Sequence, residues 1–414
     1  MKRQKTIRVG VIGVGRGRTF MRQAAAAGME LVAICDTWKA QLRKTGREFK
    51  IATYTDYDRF LEHDMDAVVL ANYFHQHAPF AIKALAAGKH VMSECAACNT
   101  LAEGVALCRA VERAKKIYMF AENYPYTAFN LEMAKLYKQG EIGRVLYAEG
   151  EYNHPGAFSW AMGISPGLKH WRNNLPCTYY CTHALAPLMA ITGTMPVRVN
   201  GFAAPLPLDS KRQRLWRQKD IGGIILVQMD NGAIFKLVQG GLPGHSIYYR
   251  LHGEFGMMET GRGPGYWGPG NVRIVHEDYD CKAGQVPERS YYPPFPAWAK
   301  AALTAGHGGG DFFTNYHFAE AIRSGRQPFL DVYRGVAMSV VGIQAWRSVL
   351  DRSNSVDVPD FRRERTRRPH ASDTWTPLDL DNPAAPPVCS YGKKRDPIPE
   401  NLREARKIWR KLGV

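Results

Sequence analysis

Three glycines at alternate positions, in Gly13-Val-Gly15-Arg16-Gly17-Arg18, follow a β-branched apolar run and precede an Ala-rich stretch. Bare backbone at such a strand-to-helix turn lets a diphosphate approach the helix amides. Asp36 ends the next apolar run, where a carboxylate accepts ribose hydroxyls and repels a 2′-phosphate. The pattern predicts a dinucleotide site that prefers NAD to NADP, with Gly13, Gly15 and Gly17 as its cradle. The third glycine comes one position early, Arg18 takes its usual place, and Arg16 and Arg18 are the side chains expected to reach phosphate.

A second group of residues lies in Tyr179-Tyr180-Cys181-Thr182-His183. Oxidising a secondary alcohol needs a base for the hydroxyl proton and an open nicotinamide face for the hydride. His183 is the candidate base, because an unperturbed imidazole titrates near neutrality, and Tyr180 could polarise the same hydroxyl. The alternative, a histidine that caps or packs a helix, stays open. His154, Trp171, Arg172, Tyr179, His307 and Asp311 are candidate substrate contacts, since aromatic faces and polar forks suit a sugar ring. Cys95-x-x-Cys98 has a metal or redox spacing but no second pair at a zinc-like distance, so no metal is expected. Gly163-Ile-Ser165-Pro-Gly167 formally fits a nucleophile elbow and His307-Gly-Gly-Gly310 an oxyanion segment. Pro166 and the reversed order of the two motifs argue against an esterase.

The elements that hold these residues follow from periodicity. Residues 7–13 and 30–36 are strand-like, with a helical stretch at 19–28 between them. Strand, helix, strand, helix and strand continue through 66–72, 77–88, 90–94, 101–116 and 117–123. Continuous apolar strands alternating with helices predict a doubly wound parallel α/β sheet over residues 1–123. A helix is expected at 127–139. From 144 the pattern changes to longer strands at 144–154, 197–204, 223–241 and 246–260, with an Asn231-Gly232 hairpin signal. Helices at 311–324 and 332–350 complete an α+β second domain, 124–365. Residues 366–414 read as a Pro-rich, Arg-rich extension, extended to about 400 and ending in a helix near 400–412.

Composition bounds the answer. The 414 residues exceed the roughly 100–200 of one domain, and 45% apolar with 22% charged residues is ordinary globular usage. The net charge of +17 raises nucleic acid as a partner, yet residues 361–414 hold 13 Lys/Arg and 7 Asp/Glu, or +6 of it, and the remainder is scattered. Nucleic acid is therefore not expected. No stretch approaches the roughly 18 apolar residues of a membrane span, no signal-peptide core precedes the first strand, and the eight cysteines sit mostly in apolar runs. A cytoplasmic protein with reduced thiols is expected.

The segments HAPFAIKALAAGKHVMSE (77–94), MFAEN (119–123) and GEIGRVLYAEGEY (140–152) resemble the Gfo/Idh/MocA oxidoreductases. That resemblance implies a Rossmann domain followed by a large open, mainly antiparallel sheet, NAD as cofactor, and a homo-oligomer. It also implies cofactor contacts at Asn72, Phe74, His77, Glu94 and Asn123. Where ordinary dehydrogenases of the family have Glu-Lys-Pro, this chain has Glu94-Cys95-Ala96, without the lysine. The segment around His183, with Phe74, EGEYNH (149–154), HWR (170–172) and HGGGD (307–311), is similar to the NAD-dependent glycosidase branch, glycoside hydrolase family 109. This implies a carbohydrate substrate, transient C3 oxidation with His183 as base, and Tyr152 as a second acid/base. A net sugar or polyol dehydrogenase is the alternative, and a non-catalytic NAD- or sugar-binding protein a third.

Overall fold

The computed structural model describes residues 6–205, 219–263, 268–281, 283–391 and 398–413. Strands β1 (Ile7–Ile12), β2 (Met29–Cys35), β3 (Ala52–Tyr54), β4 (Ala67–Leu70), β5 (His90–Ser93) and β6 (Tyr118–Phe120) form one parallel sheet in the order β3-β2-β1-β4-β5-β6. Helices α1 (Gly17–Ala24), α2 (Lys39–Phe49), α3 (Tyr57–Leu61), α4 (His77–Ala86) and α5 (Leu101–Ala114) connect them. The order reverses between β1 and β4, which opens a crevice at their carboxyl ends, the dinucleotide position of a Rossmann sheet.

Helix α6 (Ala128–Lys138) leads to β7 (Val145–Asn153), and α7 (Phe158–Gly163), α8 (Trp171–Asn174) and α9 (Thr182–Thr192) follow. Strands β8 (Pro196–Ala204), β9 (Gly222–Met229), β10 (Ile234–Gly240), β11 (Ser246–Gly253), β12 (Met257–Thr260), β13 (Val272–Val275) and β14 (Glu288–Tyr291) build the second sheet. Helices α10 (Gly310–Ser324) and α11 (Val332–Leu350), then β15 (Val356–Asp357), α12 (Glu364–Arg367) and α13 (Pro399–Lys411), end the described chain. The nine strands run β14-β13-β12-β11-β7-β10-β9-β8-β15. All pairings are antiparallel except the central β7 with β10. At the β9–β10 hairpin Gly232 takes the left-handed conformation (φ 88°) that closes the turn.

Two glycines let helices lie directly on this sheet. A Cβ on Gly150 of β7 would stand 2.1 Å from the Ala184 carbonyl of α9, and one on Gly201 of β8 would stand 2.2 Å from the Ala345 carbonyl of α11. One hydrophobic core therefore runs from α4 and α5 through α9 and α11 to the inner sheet face. Helix α10 joins the other core, under α1, through Phe318, Ala319 and Ala321.

The segment expected as an extended tail is packed instead. Ala102 donates to the Asp373 carbonyl (2.9 Å), Arg347 pairs with Asp373 (2.6 Å), and Trp346 Nε1 donates to the Pro387 carbonyl (2.9 Å). Residues 392–397 lie outside the described residues. Helix α13 seats Ala405 and Trp409 on Ala161 and Met162 of α7. No described helix is long and apolar enough to cross a membrane.

Candidate active site

The three glycines of the first loop have three separate jobs. Gly13 is left-handed (φ 102°), and a Cβ there would strike the Ala71 carbonyl at 2.4 Å. Gly15 faces open space, with nothing within 4 Å of a built Cβ. Gly17 lets α1 approach β1, since its Cβ would lie 2.8 Å from Val11 Cγ1. These are the turn, diphosphate-approach and helix-packing roles of a dinucleotide loop, so the early third glycine still performs its task. Asp36 accepts from the amides of Val14 and Trp38, both at 2.7 Å, which fixes its carboxylate beside the loop.

Further along the crevice, both side-chain polar atoms of Asn72 and the Oδ1 of Asn123 are enclosed with no protein partner. Unsatisfied buried amides of this kind ask for a polar ligand. Together with the open Gly15 they fit a nicotinamide dinucleotide. Glu94, just past β5, accepts from Arg16 Nε (2.5 Å) and the Cys95 amide (2.9 Å). Burial pushes its carboxyl up, but Arg16 outweighs this and holds it below the ordinary range. His77 is buried at the start of α4 with Nδ1 against the Ala96 carbonyl (2.8 Å).

Three side chains of this region have protein partners that the sequence did not show. Arg18 pairs with Glu48 of α2 (2.6 Å). Arg16 turns from the loop toward Glu94 and Asp311 instead. Phe74 is buried under Trp171, ring to ring at 5.2 Å, so it shapes the wall from behind.

His183 lies in the first turn of α9, and that helix carries Pro187 four residues later. Proline has no amide to donate, so the His183 carbonyl lacks its helical partner. The Tyr249 hydroxyl from β11 donates to it at 2.7 Å and fixes the backbone there. Gly150 brings α9 onto β7, which sets His183 beside Tyr152, two residues along that strand. The imidazole is ringed by Tyr124 (4.5 Å), Tyr152 (4.5 Å) and Tyr180 (4.8 Å).

The partner that defines its chemistry is Glu122, whose Oε1 lies 2.5 Å from His183 Nδ1. Burial raises the Glu122 carboxyl, yet attraction to His183 and hydrogen bonds from His183, Cys95 and Thr182 more than offset this and hold it below the ordinary range. An ionised carboxylate accepts only, so Nδ1 is the donor in this pair, and whenever the imidazole is neutral its lone pair lies on Nε2. Cys95 Sγ donates to the other Glu122 oxygen at 3.0 Å. Burial, then Glu122 and Glu94, push that thiol well above its ordinary value. Cys95, Glu122 and His183 are the one described group with donor atoms close enough for a metal, within 4.8 Å of each other. Their hydrogen bonds already satisfy one another, with thiol and imidazole each on one carboxylate oxygen.

Tyr180 and Tyr179 part company. Tyr180 is half-buried beside His183; burial pushes its hydroxyl up while Arg172 pulls the other way. Tyr179 faces Arg347, Cys98 and Asp373 with its hydroxyl enclosed, so it is a core residue and not the substrate contact expected. Trp171 is buried as well and carries Arg172 over its ring at 4.3 Å. His154 stacks on exposed Trp160 at 5.2 Å, with His245 at the same separation. His307 pairs with Asp311 (2.9 Å), whose carboxylate is fully buried and also taken by Arg16 and Asn123. Asp311 is therefore closed to substrate. Sequence reasoning missed Glu122, although a carboxylate directly after the apolar β6 must be buried and so needs a partner.

Residues 7–122 match the oxidoreductase family with an NAD-binding Rossmann fold, Gfo/Idh/MocA, and residues 274–368 match the C-terminal domain of glycosyl hydrolase 109. A glycosyl hydrolase family 109 protein of Saccharopolyspora erythraea is 27% identical, over 88% of this chain and 85% of its own. An alpha-N-acetylgalactosaminidase of Shewanella oneidensis is 26% identical, over 87% of this chain and 86% of its own. Among solved structures, levoglucosan dehydrogenase in complex with NADH has a TM-score of 0.71 at 21% identity, covering 86% of this chain and 100% of its own.

Proposed function

We propose that this chain, a member of the Gfo/Idh/MocA oxidoreductase family with a glycosyl hydrolase 109 C-terminal domain, is an NAD-dependent glycosidase acting through transient oxidation at C3. The observation that carries the reading is the Glu122–His183 pair. It leaves Nε2 as a base with neighbouring tyrosines, while Cys95 stands next to Glu94 at the place of the lysine in ordinary dehydrogenases of the family. NAD, when bound, accepts the C3 hydride and gives it back within the same turnover. His183 Nε2 takes the proton of the C3 hydroxyl, Glu122 stabilises the imidazolium, and His183 returns the proton at the end. Tyr152, its ring centred 4.5 Å from that of His183, acts as the phenolate: it takes the C2 proton that the adjacent ketone has made acidic and passes it to the departing aglycone oxygen. The C1–O bond to the aglycone then breaks, and water adds across C1–C2, giving a hydroxyl to C1 and a proton to C2. Tyr180 holds the reacting hydroxyl, and His154, Arg172 and His307 border the sugar.

The uncovered face of the nine-stranded sheet supports a homo-oligomer. Phe202, Leu226 and Ile234 lie on adjacent strands and are 45%, 38% and 39% exposed. Eight free cysteines, seven of them buried, support a cytoplasmic location.

Aryl glycosides of both anomers, N-acetylgalactosaminides included, test the reaction. Aglycone release without net NADH is expected. NADH accumulating in step with substrate, without cleavage, would make the protein a dehydrogenase.

A further inference from the structure

Apart from His307 at the border of the sugar, the glycine-rich segment 306–310 has no role in the chemistry above, and neither does the arginine in the dinucleotide loop. The two meet. Arg16 donates through Nε to Glu94 (2.5 Å), through Nη1 to Thr19 Oγ1 (2.5 Å) and Asp311 Oδ2 (3.1 Å), and through Nη2 to Asp311 Oδ1 (2.7 Å). Phe20 lies beneath its guanidinium at 4.6 Å. One side chain thus ties the start of α1 to the end of β5 and the first turn of α10. The glycines make this possible: a Cβ on Gly306 would lie 2.5 Å from Asp311 Oδ2, and one on Gly310 would lie 2.4 Å from the Asn123 carbonyl. The same segment holds His307 in the left-handed region (φ 53°), where only a surrounding structure that demands it keeps a residue other than glycine.

An ion pair with a fully buried carboxylate adds little net stability, because both charges lose water. Its use is positional. The bridge spans the crevice that contains the open Gly15, the unpartnered side-chain amide of Asn72 and the unpartnered Oδ1 of Asn123. We infer that Arg16 is a cofactor latch: with Glu94 and Asp311 it fastens the 306–311 segment to the diphosphate loop, and bound NAD leaves only when that bridge opens. This rests on the glycosidase reading for its purpose, since an enzyme that must return the hydride to the same sugar strands an oxidised intermediate if its cofactor departs.

The test needs no glycoside. Protein loaded with NADH is chased with excess NAD, and the loss of bound-NADH fluorescence gives the release rate. Arg16→Gln and Asp311→Asn are each expected to speed release at least about tenfold, the scale of one lost charged hydrogen bond. The double variant is expected to be no faster than the quicker single one, because both break one bridge. Arg16→Lys keeps the charge but loses the two-pronged geometry, so it folds and releases several-fold faster. Arg144→Gln, which breaks the exposed pair with Glu254, is the unchanged control. Release as slow as in the parent from folded Arg16→Lys and Arg16→Gln would overturn the latch. A protein that never cleaves a glycoside but shows these rates would retain the latch and lose the glycosidase reading.

Discussion

At the scale of residues, the site depends on which imidazole nitrogen carries the proton. Glu122→Gln removes the acceptor that fixes Nδ1–H, and the amide can donate to Nδ1 instead, turning the lone pair away from substrate. Turnover is expected to fall on the order of 10²–10⁴-fold, close to the effect of His183→Ala, with NAD affinity unchanged. Steady-state kinetics alongside cofactor titration check this. The pH dependence of stability gives the same pair a separate signature. Because the Glu122 carboxyl lies below its ordinary 4.5 in the folded protein, the stability it contributes is fully present above that value and is lost as pH falls through the depressed one. The melting-temperature deficit of Glu122→Gln is therefore expected at neutral pH and shrinks in acid. A deficit constant from pH 3 to 8 would contradict an ionised Glu122. The diphosphate loop was legible because its residues are neighbours in the chain. Glu122 and His183 are 61 positions apart, and nothing local marks them as partners. Adjacent Tyr179 and Tyr180 were indistinguishable until the start of α9 was known, for that alone decides which of them faces the cleft.

At the scale of elements, the position of His183 follows from two exceptions to regular structure. Pro187 removes a helical hydrogen bond and Tyr249 replaces it. Tyr249→Phe leaves the His183 carbonyl buried without a donor, at a cost of about 1–3 kcal/mol. Denaturant unfolding should show that loss together with a fall in kcat larger than the change in KM. Unaltered stability and turnover would mean that the carbonyl finds another donor. Most long elements were readable from their periodicity, including α11 and the β9–β10 hairpin. The helices α7 and α8 were not, because six and four residues are too short to show a period. The three-residue β3 and the largely polar α2 escaped for similar reasons. The 366–391 segment reads as polar in sequence yet is held by hydrogen bonds to distant residues, which composition does not reveal.

At the scale of the whole molecule, one core runs from the helices beside the parallel sheet to the second sheet, and the crevice at the carboxyl ends of β1 and β4 must hold a cofactor through every turnover. The proposed partner for the exposed Phe202, Leu226 and Ile234 is a second copy of the chain, so Leu226→Arg is expected to lower the mass seen in sedimentation while leaving the NAD site intact. An unchanged mass would move the interface elsewhere. The central claim is that the sugar is oxidised and restored within one turnover, and that claim has a direct isotopic consequence. Cleavage of an aryl glycoside in D₂O should yield released sugar with deuterium at C2, no net NADH, and activity that disappears when NAD is stripped and returns when it is added back. Released sugar that keeps its original C2 hydrogen would contradict the account.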